Sequence, residues 1–288
     1  MQLQRTSSIA PDAGGSPPLL LQTDAVAACA WLAQQQLRPD LIYIDPPFAT
    51  GRNFALAHRD HEASAHLEGG TLAYRDAWAG GLDGYLDEME RWLIAIHAAL
   101  ADEGSLILHC DHHAAPYLAL CCDRIFGFGD RAGGGAGFRN ELIWSYGLGG
   151  SSPRCHAKKH DTLLWYSKGS RWFFAPHMVP ATSQRLAGKL KKGTSIWEIP
   201  SINNMAKERT GYPTQKPLAL LERIVACHTP PGGLVADLCC GSGTTLVAAA
   251  SAGRRAIGAD LGALAQQVAG GRLLAAGLGL ERWTPATD

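Results

Sequence analysis

Short apolar runs alternate with longer helical stretches along this 288-residue chain, and that alternation limits the folds open to it. The runs Leu41–Ile44, Leu106–His109, Leu163–Tyr166, Val235–Leu238 and Ala256–Ala259 are short, mostly apolar and have the length of buried strands. Between or after them lie Asp24–Gln36, Leu82–Leu100, Ala114–Phe126, Pro217–Cys227, Thr244–Ala252 and Leu264–Ala275, which read as helices. In Leu82–Leu100 the apolar residues recur at steps of three and four, the spacing of one face of an amphipathic helix. The pattern predicts an α/β fold with a mostly parallel sheet covered by helices on both faces. Ligands of such sheets bind outside the carboxyl ends of the strands, so chemistry is expected immediately after a strand. Hydrophobic residues make up 46% of the chain, enough for one large core. Residues 1–18 are polar and rich in Ser, Pro and Gly and read as a flexible lead-in, leaving 19–288 as a single domain.

One candidate site is Asp237-Leu-Cys-Cys-Gly-Ser-Gly-Thr-Thr245, between a strand and a helix. Gly241 and Gly243 allow a tight turn and close approach of backbone to a ligand. The turn lacks the Lys-Ser/Thr ending of a phosphate-binding loop and the third glycine of a dinucleotide turn. Asp260 ends the next strand, where a carboxylate can accept hydrogen bonds from ribose hydroxyls. A nucleoside cofactor without a pyrophosphate suits this arrangement; a purely structural glycine turn is the alternative.

The second candidate is Asp45-Pro46-Pro47-Phe48, where an apolar strand runs into a rigid turn. Two prolines remove two N–H donors and leave carbonyls free to accept. A carboxylate, acceptor carbonyls and an aromatic ring together suit a planar ligand bearing an amino group. Stacking on Phe48 contributes roughly 1–3 kcal/mol for a nucleobase. A Pro-Pro stop with a capping aspartate is the plainer reading.

Charge is balanced, with 26 basic and 26 acidic residues, which speaks mildly against a nucleic-acid partner. Its distribution is uneven: from Arg154 to Lys216 twelve basic residues are opposed only by Asp161, Glu198 and Glu208. Such a stretch can attract phosphates on a neutral molecule, or simply be a solvated face. The chain has eight cysteines, including the adjacent pairs Cys121–Cys122 and Cys239–Cys240, and no Cys-x-x-Cys spacing; reduced thiols are expected. No apolar run reaches the roughly 20 residues of a spanning helix and no signal pattern opens the chain, so the expected location is the cytoplasm, away from membranes. The cluster His109-Cys-Asp-His-His113 is not expected to hold a metal, because consecutive residues at a strand end point different ways. His160 and Asp161 read as strand-entry residues.

Taken together and in this order, the two turns resemble the β class of amino-directed DNA methyltransferases, adenine-N6 and cytosine-N4 enzymes alike. The methylation subunits of type III restriction–modification systems are especially similar. The likeness extends through Leu41-Ile-Tyr-Ile-Asp-Pro-Pro-Phe-Ala-Thr-Gly51, Gly104-Ser-Leu-Ile-Leu-His109, Arg139-Asn-Glu-Leu-Ile-Trp144, Lys159-His-Asp-Thr-Leu-Leu-Trp-Tyr-Ser-Lys168 and Gly211-Tyr-Pro-Thr-Gln-Lys-Pro217. It implies a Rossmann-like methyltransferase fold, circularly permuted so that the catalytic motif precedes the cofactor motif. S-adenosylmethionine would be held by Asp237, Cys239, Gly241 and Gly243, with Asp260 at its ribose and Asp24 near its adenine. Thr214, Gln215 and Lys216 would lie by its methionine end. Cys239 departs from the phenylalanine common in the family, although the contact stays apolar.

What the resemblance implies for mechanism is a base flipped from the DNA stack onto Phe48, its amino group held by Asp45 and the Pro46 carbonyl within the Asp45, Pro46, Pro47 and Phe48 motif. The aspartate heading the motif favours adenine. Cytosine-N4 methylation, a non-catalytic cofactor-binding subunit and an RNA substrate are the competing readings. Residues 49–81 read either as a lid that closes over DNA or as a flexible surface loop, and the large recognition insertion of type III subunits is missing. DNA contacts then fall to Arg52, Lys158, Lys159, Arg171, Lys189, Lys191 and Lys192, in particular the short basic segment 169–196 and the loop Gly127–Gly137. Short or relaxed specificity follows, or a separate specificity or nuclease partner; dimers are common in the class, so a homodimer is compatible with it.

Overall fold

The computed structural model describes residues 2–48, 52–55, 72–147, 153–203 and 205–286. The chain opens with β1 (Leu3–Ile9), β2 (Leu19–Leu21), α1 (Ala25–Gln34) and β3 (Leu41–Ile44). A hairpin of β4 (Arg52–Ala55) and β5 (Leu72–Asp76) follows, then α2 (Gly81–Ala99), β6 (Ser105–Cys110) and α3 (Ala115–Phe126). Next come β7 (Gly137–Ser145), β8 (His160–Ser167), β9 (Met178–Pro180), β10 (Leu190–Lys192) and β11 (Ile196–Glu198). The last third holds α4 (Leu218–His228), β12 (Leu234–Asp237), α5 (Thr244–Ser251), β13 (Arg255–Ala259), α6 (Ala263–Ala275) and β14 (Leu280–Pro285).

Ten strands form one sheet in the order β1-β14-β2-β13-β12-β3-β6-β8-β7-β11. Among them β1 and β8 run against the rest, so the sheet is mostly parallel, as the alternation predicts. Each central strand feeds two cores because successive side chains point to opposite faces. Ile42 and Ile44 of β3 pack with α1, α2 and α3, whereas Leu41 and Tyr43 pack with α4, α5 and α6. The crossover that matters for function is the pairing of β12 with β3, in which Asp237 lies opposite Tyr43. Two segments far apart in sequence thereby end side by side at one edge of the sheet.

Two expectations are corrected. Residues 1–18 are not all lead-in: β1 pairs antiparallel with β14 from Leu3 opposite Pro285 to Ile9 opposite Leu280. The edge of β14 offers a row of backbone groups that a strand can satisfy. Only Leu3 of β1 is buried, which is why its composition looks unstructured. The second correction concerns β8. It is antiparallel to both β6 and β7, so its start, His160, lies at the carboxyl edge of the parallel strands and its end, Ser167, at the opposite edge. Gly137 lies beside Ser167. The loop 127–137 and Arg171 therefore sit across the sheet from Asp45, and Arg171 pairs with Glu103 at 2.7 Å. An apolar run shows that a strand exists but not which way it points, so the sequence does not reveal that these residues stand at the edge away from Asp45.

Of the proposed lid, 49–51 and 56–71 lie outside the described residues, and the remainder supplies the β4–β5 hairpin. Every cysteine is a free thiol. Among the described residues no helix is long and apolar enough to cross a membrane.

Candidate active site

Both turns predicted from the sequence open into one cavity of about 260 Å³ at the carboxyl edge of the sheet. Its wall includes Asp45, Pro46, Pro47 and Phe48 after β3, and Asp237, Cys239 and Gly241 after β12. Asp24 and Asp260 lie on the same wall, as do Thr214, Gln215 and Lys216.

Local backbone chemistry builds the glycine turn. Asp237 Oδ1 accepts from the Cys239 N–H at 3.1 Å. Asp260 holds two backbone donors at once, Gly241 N–H on Oδ2 and Gly262 N–H on Oδ1, each at 2.9 Å. Gly243 stands at the N-terminus of α5 with φ +73°, a left-handed conformation that side chains resist. A Cβ there would also come within 2.8 Å of the Ala269 Cβ, so helix α6 packs too close for any other residue. Gly243 thus shapes the turn from behind, and among the described residues it does not line the cavity. Asp24 caps α1, accepting from the Ala27 N–H at 2.8 Å.

Burial dominates the electrostatics of this end. It pushes the Asp237 carboxyl up to about 7 from an ordinary value near 3.8, despite hydrogen bonds from Thr245 and Cys239 that act the other way. The Cys239 thiol is raised by burial and then by the neighbouring carboxylates, so it stays neutral, in keeping with the apolar contact expected of it. In the unfolded chain Asp237 ionises near 3.8, so the stability it contributes is complete below that pH and is lost as pH rises toward 7. The cofactor-free protein should accordingly lose stability between pH 4 and 7 relative to Asp237→Asn, whose side chain does not titrate. Denaturant titrations of both proteins across this range check the sign; parallel curves would contradict it.

At the other end, Lys216 meets the catalytic motif directly. Its ammonium binds Asp45 Oδ2 and lies 5.6 Å from the Phe48 ring centroid. Asp45 Oδ1 is buried and has no hydrogen-bond partner. Gln215 lines the cavity and its side-chain amide is held within the loop: its carbonyl accepts from the Thr210 N–H and hydroxyl, and its amide donates to the Glu208 carbonyl. It braces the loop that carries Lys216. Thr214 has φ +56° and shares a 3.3 Å hydrogen bond with the Tyr74 hydroxyl of β5.

Several wall residues escape a reading of the sequence. Phe54 and Tyr74 stack with centroids 4.7 Å apart on the β4–β5 hairpin, and Tyr212 packs over Gly241. Thr23 is fully buried, with a hydroxyl lacking a partner on the cavity side of α1. Tyr212 stands inside the Gly211–Pro217 segment and could have been found there; Thr23 and the hairpin carry no pattern of their own. Behind Asp45, His109 is fully buried between Tyr43 and Asp161.

The lining fits S-adenosylmethionine. Asp24, Asp45, Asp76, Asp237 and Asp260 face Lys216 as the one cation among the described lining residues, a balance suited to a positively charged sulfonium ligand. Aromatic walls and orphaned acceptors at both ends, Thr23 Oγ1 and Asp45 Oδ1, suit a nucleoside at one end and a transferable group at the other.

The cationic residues divide. Lys158 is exposed and Lys159 reaches the Gly147 carbonyl at 3.3 Å, both just before β8 and so at the cavity's edge of the sheet. Lys189, Lys191 and Lys192 are exposed around the β9–β10 hairpin and do not line the cavity. Arg52 opens β4, and its side chain is outside the described ones. Asp111, His112 and His113 converge to within 4.8 Å instead of pointing apart, because the chain turns after β6 and Asp111 Oδ1 accepts from the His113 and Ala114 N–H groups. Asp111 thus has a local structural task.

Residues 39–269 match the family model described as DNA methylase. The chain is 24% identical over 265 residues to the DNA adenine methyltransferase YhdJ of Escherichia coli, covering 86% of this chain and 80% of that protein. The crystal structure of the M1.HpyAVI–SAM complex superposes with a TM-score of 0.61 at 22% identity, covering 88% of this chain and 98% of that one. The cytosine-N4-specific PvuII DNA methyltransferase superposes with a TM-score of 0.57 at 14% identity, covering 88% and 85%. Both structures share the fold.

Proposed function

The chain belongs to the DNA methylase family, and from that premise we propose that it transfers the methyl group of S-adenosylmethionine to the N6 amino group of adenine in DNA. The observation that carries the reading is the shared cavity, with Asp45 and Phe48 at one end and the Asp237–Gly241 turn and Asp260 at the other. The bound cofactor supplies an electrophilic methyl group on a sulfonium sulfur. All other contributions come from the chain.

A base paired in duplex DNA hides its amino group, so the target leaves the stack and lies on Phe48. Its amino nitrogen takes the place that the Lys216 ammonium holds against Asp45 Oδ2. Asp45 and the Pro46 carbonyl then accept the two amino hydrogens. That draws the nitrogen lone pair out of ring conjugation and turns it toward the methyl group. The methylated nitrogen is acidic and releases a proton to Asp45, so the carboxylate need not be a strong base beforehand. Fixed geometry and a fixed polar environment supply most of the acceleration. Lys158 and Lys159, on the cavity's edge of the sheet, are placed to meet phosphates. The hairpin lysines Lys189, Lys191 and Lys192 would serve a longer duplex.

Adenine is preferred over cytosine because an aspartate heads the motif, and the likeness to YhdJ supports it. The PvuII neighbour keeps cytosine-N4 as the second reading. Nucleoside mass spectrometry on DNA from a methylation-free host expressing this chain should show N6-methyladenine. N4-methylcytosine in its place would overturn the base assignment, and neither product would overturn the reading as a whole.

A further inference from the structure

The buried, unpartnered Oδ1 of Asp45 points to a role for residues that the transfer scheme leaves unused. A bare carboxylate oxygen costs free energy, so one kept at a reaction site is held ready for a donor that arrives with the ligand. The neighbour of this oxygen is the His109 Nδ1, 4.0 Å away. His109 is fully buried: Nδ1 is 2.8 Å from the Tyr43 hydroxyl and Nε2 is 3.0 Å from Asp161 Oδ2. The Tyr146 hydroxyl donates to Asp161 Oδ1 at 3.0 Å. Trp144 of β7 and Phe48 close the remaining sides of the ring with centroids 5.7 Å and 6.1 Å from it.

The donor pattern follows from these partners. Burial alone would raise the Asp161 carboxyl, but the hydrogen bond from His109, the Lys216 ammonium and the Tyr146 hydroxyl hold it below its ordinary value. Asp161 is ionised and can only accept, so a neutral His109 carries its proton on Nε2. Nδ1 is then an acceptor, satisfied by the Tyr43 O–H, and presents a lone pair instead of an N–H to Asp45.

We propose that Asp161 and His109 are positioning residues for the methyl transfer: Asp161 fixes the Nε2–H tautomer of His109, which keeps a histidine N–H away from Asp45 Oδ1. Once the new N–C bond has formed, Asp45 must accept the proton that the methylated nitrogen releases. A carboxylate already bound to a histidine N–H would be a weaker acceptor. A carboxylate that sets a histidine tautomer in this way is known to matter in serine protease triads, where its amide replacement leaves the wrong tautomer. The proposal rests on the assignment of Asp45 to amino-group methylation, but its test reads the protein alone.

Nitrogen-15 NMR of histidine-labelled full-length protein near neutral pH, without cofactor or DNA, should show His109 with a protonated Nε2 and a bare Nδ1. The opposite assignment overturns the proposal without any variant having to fold. In Asp161→Asn the amide can donate to Nε2 and send the proton to Nδ1. That variant should bind S-adenosylmethionine normally and lose about 10- to 100-fold in kcat with little change in KM for DNA. Asp161→Glu, which keeps the carboxylate, should recover most of the loss. An Asp161→Asn protein within about twofold of wild-type kcat, or equal losses in both variants, overturns the proposal. A wild-type protein that methylates no DNA would instead defeat the proposed function, while the tautomer would still be read.

Discussion

Asp45→Ala should lower kcat by at least about 100- to 1,000-fold while leaving the affinity for S-adenosylmethionine within a few-fold of wild type. The size follows from the loss of a fixed acceptor aimed at charge that appears only in the transition state. The selectivity follows from the structure, because Asp45 holds none of the backbone of the glycine turn; Asp237 and Asp260 do. Removing the carboxylate also takes from the Lys216 ammonium the anion it is hydrogen-bonded to and leaves it beside the Phe48 face. An ammonium that Asp45 no longer neutralises repels a methylated, cationic amino group, so the variant loses the acceptor and gains a repulsion. Equilibrium binding of the cofactor and single-turnover transfer to DNA measure the two quantities separately. A variant retaining more than about a tenth of wild-type activity would remove Asp45 from the reaction.

Asp260→Ala should give the complementary result, with cofactor affinity at least about 100-fold weaker and a much smaller change in the transfer rate at saturating cofactor. Hydrogen bonds to a charged group contribute about 1.5–3 kcal/mol each. Asp260 makes two, to the N–H groups of Gly241 and Gly262, and both shape the turn on which the cofactor lies. Loss of only one of them already matches about a hundredfold in affinity at the upper end of that range. Burial raises the Asp260 carboxyl, and these same two hydrogen bonds oppose the rise, which shows how far its charge depends on them. Isothermal titration with S-adenosylmethionine gives the affinity, and kcat at saturation gives the other half. An Asp260→Ala protein with wild-type affinity would detach Asp260 from the cofactor site. Asp45 and Asp260 line one cavity, yet their losses should fall on different constants.

The sequence alone locates the chemistry better than its surroundings. Leu41–Ile44 is a strand within the bounds its apolar run suggests, and all six helical stretches are helices with ends shifted by a residue or two. Buried parallel strands and amphipathic helices are legible because burial on both faces, or on one stripe, leaves a direct trace in composition. The glycine and proline turns are legible because few other residues tolerate their backbone. Direction leaves no such trace. The apolar run Leu163–Tyr166 reads the same whichever way it points, and the reversal of β8 places Arg171 at the wrong edge for the reaction. Partners fixed by register are hidden as well. His109 and Asp161 meet only because Cys110 lies opposite Thr162 across an antiparallel pair. Without that register, His109 looks like one member of a histidine cluster and Asp161 like the polar start of a strand. The strand β1 is hidden for another reason: it buries only Leu3 and is held by backbone pairing to β14, for which side-chain composition gives no signal.

A crystal structure of the chain with sinefungin, which carries an amine where the cofactor carries its methyl group, would test most directly whether the two turns serve one transfer. The nucleoside should lie between Asp24 and Asp260, the ligand should pass over the Asp237–Gly241 turn, and the amine should be directed at Asp45. Sinefungin bound elsewhere, or bound in this cavity with its amine turned away from Asp45 and Phe48, would contradict it.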